Sequence, residues 1–146
     1  MNGLEESLRE NGIYVTTTKG NSMNPMLVEG RDKVVIVPPV FPLKRYDIPV
    51  YRRGDHYTMH RIVRVKKNGY IICGDNRITL ERDIKDKDII GVLEGFYQGG
   101  KYISCDDAQY LKYAKKVCRK LPLKILKTFP TRAIRKLKRM VKKNAG

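Results

Sequence analysis

Punctuation is the feature that most constrains the fold: short β-branched runs, each closed off by Gly, Asn or Pro, fill residues 13–104. Asn68-Gly69 is the strongest such signal, because a type I′ turn needs positive φ at both central residues and its twist matches that of the flanking strands. It joins Tyr57–Val65 to Tyr70–Cys73. Asp47–Tyr51 and Tyr57–Val65 in turn flank Arg52-Arg53-Gly54-Asp55-His56, a hairpin with a longer loop. Ile13–Thr17 reads as a strand, followed by a turn over Lys19–Ser22, where Gly and Asn tolerate the required dihedrals. Asp32–Val37, an apolar run between Gly30 and Pro38-Pro39, reads as a buried strand. Gly74–Arg77 is a turn, and Asp88–Phe96 pairs with Lys101–Ser104 across Gln98-Gly99-Gly100. About seven short strands without alternating helices predict a mainly β, antiparallel domain. A short helix over Leu4–Glu10, stopped by Asn11-Gly12, precedes it.

Charge divides the chain in two. It carries 31 Lys/Arg against 15 Asp/Glu over 146 residues. From Tyr110 onward there are 14 basic residues and no acid, which leaves 17 bases and 15 acids for residues 1–109. The first part is therefore an ordinary near-neutral globular composition, and the basicity belongs to an appendage. At 41% hydrophobic residues, disordered and collagen-like classes are excluded. Leu111, Ala114, Val117, Cys118 and Leu121 recur at helical spacing, as do Ile134, Leu137, Met140 and Val141. With Pro122 and Pro130 interrupting and Thr131 placed to cap, the spacing predicts two basic amphipathic helices joined by a short link. The expected division is a β domain over 1–107 and a basic helical tail over 108–146.

The longest apolar run, Val34–Leu43, is ten residues with three prolines, far short of a bilayer span. The polar, acidic N-terminus does not read as a secretory signal. Cys73, Cys105 and Cys118 lack metal-ligand spacing and read as reduced thiols. The expectation is a cytoplasmic protein, peripheral to the inner membrane face if the tail binds lipid, with no metal or cofactor.

Ser22 lies in the Gly/Asn turn between two strands and is followed by Met23, Asn24, Pro25 and Met26. A hydroxyl there stands at a sheet edge on a backbone stiffened by proline, as an attacking nucleophile requires. Taken alone, a turn serine most often only caps local backbone. The chain has two histidines, and an imidazole, ordinarily titrating at about 6.5, is the natural base for such a hydroxyl. His60 sits within a strand that could fix its ring; His56 sits in a hairpin loop and reads as solvated.

Together the segments GNSMNPMLVEGRDKVVI, YDIPVYRRGDHYTMHRIVRV and YIICGDNR are more specific. They resemble the signal peptidase superfamily, whose other branch is the self-cleaving SOS-type repressors. The matching boxes are Ser22-Met23-Asn24-Pro25, Gly30-Arg31-Asp32, Tyr46-Asp47-Ile48, His60-Arg61-Ile62-Val63 and Gly74-Asp75-Asn76, and the likeness covers roughly residues 13–105. It implies an antiparallel coiled β-sheet peptidase core. Housekeeping bacterial enzymes and repressors carry lysine as base; His60-Arg61-Ile62 resembles the Ser/His type of endoplasmic-reticulum and archaeal signal peptidases. The likeness casts Ser22 as nucleophile, His60 as general base, the Ser22 N–H as one oxyanion donor, and Met23, Pro25 and Met26 as substrate-binding residues. Related enzymes often place a hydroxyl residue two before the nucleophile as a second donor; Gly20 stands there. The third member is expected to be Asp75, with Glu81 and Asp83 as alternatives. Only 21 residues precede Ser22, so the expectation is a bare catalytic core plus a basic tail.

Two functions follow. The first is a serine endopeptidase that cleaves a leader, signal or precursor peptide. The second is a non-catalytic β module that binds anionic membrane or nucleic acid through the tail. Residues 131–146 set an apolar side against surrounding Lys/Arg, which favours an anionic membrane surface over nucleic acid: the tail's aromatics (Tyr110, Tyr113 and Phe129) all lie outside its second half.

Overall fold

The computed structural model describes residues 3–145, so Met1, Asn2 and Gly146 lie outside the described spans. Helix α1 (Gly3–Asn11) buries Leu4 and Leu8. It stops where Gly12 takes φ +69° and donates its N–H to the Leu8 carbonyl at 3.1 Å, a left-handed closure that favours glycine. Nine strands follow: β1 (Tyr14–Thr17), β2 (Lys33–Val37), β3 (Pro49–Arg53), β4 (His56–Met59), β5 (Arg61–Lys66), β6 (Gly69–Cys73), β7 (Glu81–Ile84), β8 (Ile89–Gln98) and β9 (Lys101–Ser104). The domain is mainly antiparallel β with a C-terminal helix, α2 (Ala108–Asn144).

The strands form two sheets. The larger runs β1-β2-β8-β3-β4, with β9 on the same edge of β8 as β3 but at its other end; the smaller runs β5-β6-β7. One core lies under α1, β2, β3, β8 and the start of α2, and gathers Leu27, Val34, Ile36, Ile48, Leu93 and Phe96. A second fills the space between the sheets with Tyr51, Ile62, Tyr70, Ile72 and Ile89.

Three differences from the sequence reading matter for the site. The expected continuous strand Tyr57–Val65 breaks at His60: Met59 ends β4 in one sheet and Arg61 begins β5 in the other. Arg61 is fully buried, and the demand to seat its guanidinium inside the protein turns the chain at that point. Strand β7 was not expected, because in Glu-Arg-Asp-Ile only Ile84 is buried and the hydrophobic signal is a single residue. Finally, the tail is one helix of 37 residues, not two. Proline removes one N–H donor and crowds a carbonyl four residues back, but its fixed φ near −65° is itself helical, so a helix can run through it. The cap is Asp107 rather than Thr131: its carboxylate accepts from the N–H groups of Gln109 and Tyr110 at 2.9 and 3.3 Å. The apolar side of the first turns of α2 is buried on the domain, as its spacing after the last hairpin leads one to expect: Tyr110 and Ala114 join the core, and Cys118 and Leu121 are buried.

Candidate active site

The site forms where three turns meet: the Ser22 turn, the corner at His60, and the Gly74–Arg77 turn. The Asn76 N–H donates to the Ser22 carbonyl at 2.8 Å, and its side-chain amide donates to the Asn21 carbonyl at 3.1 Å. Arg77 Nη2 donates to Asn21 Oδ1 at 2.8 Å. Asn76 and Arg77 thus clamp the backbone that carries the serine. Gly74 lets the turns approach this closely. A Cβ there would stand 2.8 Å from the Ser22 carbonyl oxygen and 3.2 Å from Cδ2 of His60. The Ser22 carbonyl and the His60 ring therefore both pack against the bare Cα of a glycine that has no room for a side chain.

The other edge of the ring faces an acid. His60 Nδ1 lies 2.8 Å from Glu81 Oε1, and both side chains are nearly buried, at 14% and 15% exposure. The Tyr51 hydroxyl donates to Glu81 Oε2 at 2.9 Å and lies 3.2 Å from His60 Nδ1; Arg53 closes an ion pair on the same oxygen. Burial alone raises the Glu81 pKa, but hydrogen bonds from His60, Arg53 and Tyr51 outweigh it and hold the carboxyl at about 2. Burial, then the Glu81 charge, pushes the Tyr51 phenol up, so it stays a donor. An ionised carboxylate only accepts, so Nδ1 carries the proton toward Glu81 and the neutral ring keeps its lone pair on Nε2. Cδ2, the atom set against Gly74, is bonded to that nitrogen. Among the described residues, the ring's hydrogen bonds all run through Nδ1.

Asp75 is engaged elsewhere, which corrects its expected role as the partner of His60. Arg61 Nε and Nη2 donate to its two carboxylate oxygens, each at 2.8 Å, with the side chains 0% and 1% exposed. The guanidinium's remaining donors reach the Tyr110 hydroxyl at 2.8 Å and the Tyr46 carbonyl at 3.2 Å. From α2, the Tyr113 hydroxyl donates to Asp75 Oδ2 at 3.1 Å and Lys124 Nζ to its carbonyl at 2.9 Å. Asp75 was singled out because it sits in the Gly-Asp-Asn box. Glu81, the weaker alternative, begins a strand whose existence the sequence barely signals. Asp83 is exposed two residues further along that strand.

The residues expected to contact substrate also separate. Met23 and Met26 are core side chains at 5% and 6% exposure, and Met26 Sδ accepts from Arg61 Nη2 at 3.3 Å. Pro25 is exposed and, with Met26, Phe96, Tyr102 and Tyr110, borders a cavity of about 520 Å³. Gly20 supplies no hydroxyl, and its N–H donates to Glu29 Oε2 at 3.0 Å. His56 is exposed in its hairpin, 3.4 Å from Asp55. The three cysteines are free thiols; burial pushes Cys73 up to about 11 and Cys105 up to about 12, and raises Cys118 as well. At these values the thiol, not the thiolate nucleophile, prevails at neutral pH.

No protein-family model and no curated protein matches the chain.

Proposed function

We propose that the chain is a serine endopeptidase, acting through Ser22, His60 and Glu81 on a coiled β core like that of the signal peptidases, and that its substrate is a leader, signal or precursor peptide. One observation carries this reading. The imidazole of His60 has an ionised carboxylate on Nδ1, and its Cδ2 edge packs at Gly74 beside the Ser22 carbonyl. Acid, ring and the turn that carries Ser22 are thus gathered in the order that nucleophilic acyl transfer needs, with Nε2 left unpartnered among the described residues.

In the proposed reaction, Ser22 Oγ attacks the scissile carbonyl carbon as His60 Nε2 takes the hydroxyl proton. Glu81 stabilises the resulting imidazolium and holds the ring in the tautomer that leaves Nε2 free. The Ser22 N–H faces the developing oxyanion. The imidazolium then protonates the leaving amine, and water, deprotonated by the same ring, releases the acyl group. Arg61 and Asp75 position the Gly74–Arg77 turn and touch no reacting atom.

Active-site labelling tests the proposal. A fluorophosphonate should modify the wild-type chain at Ser22, found by peptide mass mapping, and should leave Ser22→Ala and His60→Ala unmodified. Folded wild-type protein that stays unlabelled under conditions that label a standard serine peptidase would overturn it in favour of the binding module.

A further inference from the structure

Helix α2 packs on the domain with one side as far as Lys124 and leaves the other bare; from Thr131 to Ala145 it is exposed nearly all round. At about 100° per residue, Tyr110, Ala114, Val117, Leu121 and Lys124 fall within one arc; Tyr110 and Ala114 join the core, Leu121 is buried, and Lys124 reaches the Asp75 turn. Leu123, Leu126, Ile134, Leu137, Met140 and Val141 fall within a second arc of about 120°, centred roughly opposite the first. The far side stays in solvent: Leu126 is 64%, Leu137 59% and Val141 68% exposed. The apolar stripe is therefore not an extension of the docked face. It is a separate surface on the far side of the helix, and it starts at Leu123, well before the expected second helix.

Toward the N-terminal end the same outward arc changes chemistry. Lys112, Lys115, Lys116 and Arg119 occupy it, all exposed. The outward face thus runs for about 44 Å, basic first and apolar after, with Lys127, Lys136 and Lys138 along the borders of the apolar part. No acid occurs anywhere from Tyr110 onward.

We propose that this outward face of α2 is a docking surface for an anionic lipid bilayer, with Lys112–Arg119 on the headgroups and the Leu123–Val141 stripe inserted just beneath them. The charge pattern selects this occupant. A second copy of the chain would set lysines against lysines with no acid to pair them, a repulsive arrangement. Nucleic acid would place phosphates against Ile134, Leu137 and Val141, which offer neither charge nor a stacking ring. A strip that is cationic at one end and aliphatic at the other fits a surface with anionic headgroups over hydrocarbon. No described helix is long and apolar enough to cross a membrane, so α2 lies on the bilayer rather than spanning it. Because the docked and outward faces are opposed, the Lys124 contact to the Asp75 turn persists on the surface, and the β domain is held on the helix side away from the lipid.

The test is flotation of the full chain with vesicles of phosphatidylglycerol and phosphatidylcholine, against vesicles of phosphatidylcholine alone. The full chain should float with the anionic vesicles only. The triple variant Ile134→Glu, Leu137→Glu, Val141→Glu should lose at least about tenfold in partitioning. A second variant, with Lys112, Lys115, Lys116 and Arg119 each changed to Gln, should lose a further several-fold at constant apolar content. Both variants change exposed side chains, and unchanged circular dichroism confirms that they fold. Equal recovery of wild type and either variant would overturn the proposal. So would retention of a single-stranded RNA oligonucleotide without flotation, or a dimer in size-exclusion chromatography that the triple variant abolishes while flotation is absent. The peptidase reading is scored separately, by labelling of Ser22 in detergent-free solution.

Discussion

Residues 60 and 61 are neighbours in the chain, yet they serve two ion-pair clusters of opposite character. His60 turns toward Glu81 at the protein's edge, with both side chains about one-seventh exposed; Arg61 turns inward to Asp75, with neither accessible. The inward pair is a lattice. Its bidentate bonds, together with Tyr110, Tyr113, Tyr46 and Lys124, satisfy the guanidinium and carboxylate and tie β5, the Gly74 turn and α2 into one unit. The outward pair is sparser and ends on a ring nitrogen that has no partner among the described residues. A buried pair with every donor used has nothing left to offer a substrate. A half-buried pair with one lone pair unspent does.

The comparison breaks first at the hydroxyl and the ring. Ser22→Ala and His60→Ala should each lower the rate of peptide cleavage by about 10⁴-fold or more, since nucleophile and base act as a unit. Ser22→Ala should leave the melting temperature within a few degrees of wild type; His60→Ala, which removes the Nδ1 contact to Glu81, should lower it further but leave the chain folded at room temperature. A His60→Ala enzyme with near-wild-type rates would mean that the base is misassigned. On the proposed peptidase reading the base must be unprotonated to accept the serine proton, so activity should be lost in acid. A profile still climbing steeply above roughly pH 9 would transfer the role to a lysine such as Lys44.

The inward pair should answer to stability. Asp75→Ala leaves the Arg61 guanidinium buried without its counter-ion, and breaking such a pair costs about 3–5 kcal/mol. For a chain of this size that is a fall in melting temperature on the order of 10 °C. Below the new transition, labelling of Ser22 should persist. If Asp75→Ala melts like wild type but loses labelling, the roles of the two acids are exchanged.

Part of the fold was legible in the local chemistry: the Asp32–Val37 run forms β2 over Lys33–Val37, and Asn11-Gly12 stops α1. The hairpin signalled by Asn68-Gly69 forms, but its turn is Lys67-Asn68, with Gly69 already paired to Lys66 at the start of β6 and Asn68 not at positive φ, so it is not the expected type I′ turn. The Ser22, His60 and Gly74–Arg77 turns meet in the folded chain, and local residue chemistry carries no sign of it; only the family resemblance led one to expect it. What stayed hidden depends on tertiary context. The strand break at His60 follows from seating Arg61 inside the protein, and alternation along Tyr57–Val65 carries no trace of it. Glu81 is positioned by β7, whose single buried residue gives no periodicity to read. The continuity of α2 was masked because Pro122 and Pro130 are local stop signals, overridden by contacts more than forty residues away, such as Lys124 to Asp75.

Glu81→Gln sharpens the comparison on the outward side. The amide keeps the shape of the carboxylate but cannot stabilise an imidazolium, and its NH₂ group competes for the wrong tautomer. A loss in kcat of about 10²-fold or more is expected, with labelling slowed and the fold retained.

The smallest effect lies in how the same variant's stability depends on pH. The Glu81 carboxyl sits at about 2, below its ordinary 4.5, because bonds from His60, Arg53 and Tyr51 overcome the cost of its burial. A depressed carboxyl contributes stability that is fully present above its unfolded value and lost as pH falls toward its folded one. The window therefore runs from about 4.5 down to about 2. Glu81→Gln has no proton to bind there and lacks this contribution at every pH. The melting temperature of wild type should exceed that of the variant near neutrality, and the gap should narrow between pH 4.5 and pH 2 as the carboxyl protonates. Melting curves at pH 6 and pH 3 read it directly, since the remaining carboxylates titrate in both proteins and cancel in the difference. A gap that stays constant across that range would mean that Glu81 is not held ionised by its neighbours. The assignment of Nδ1 as the protonated nitrogen, and with it Nε2 as the base, would then lose its physical ground.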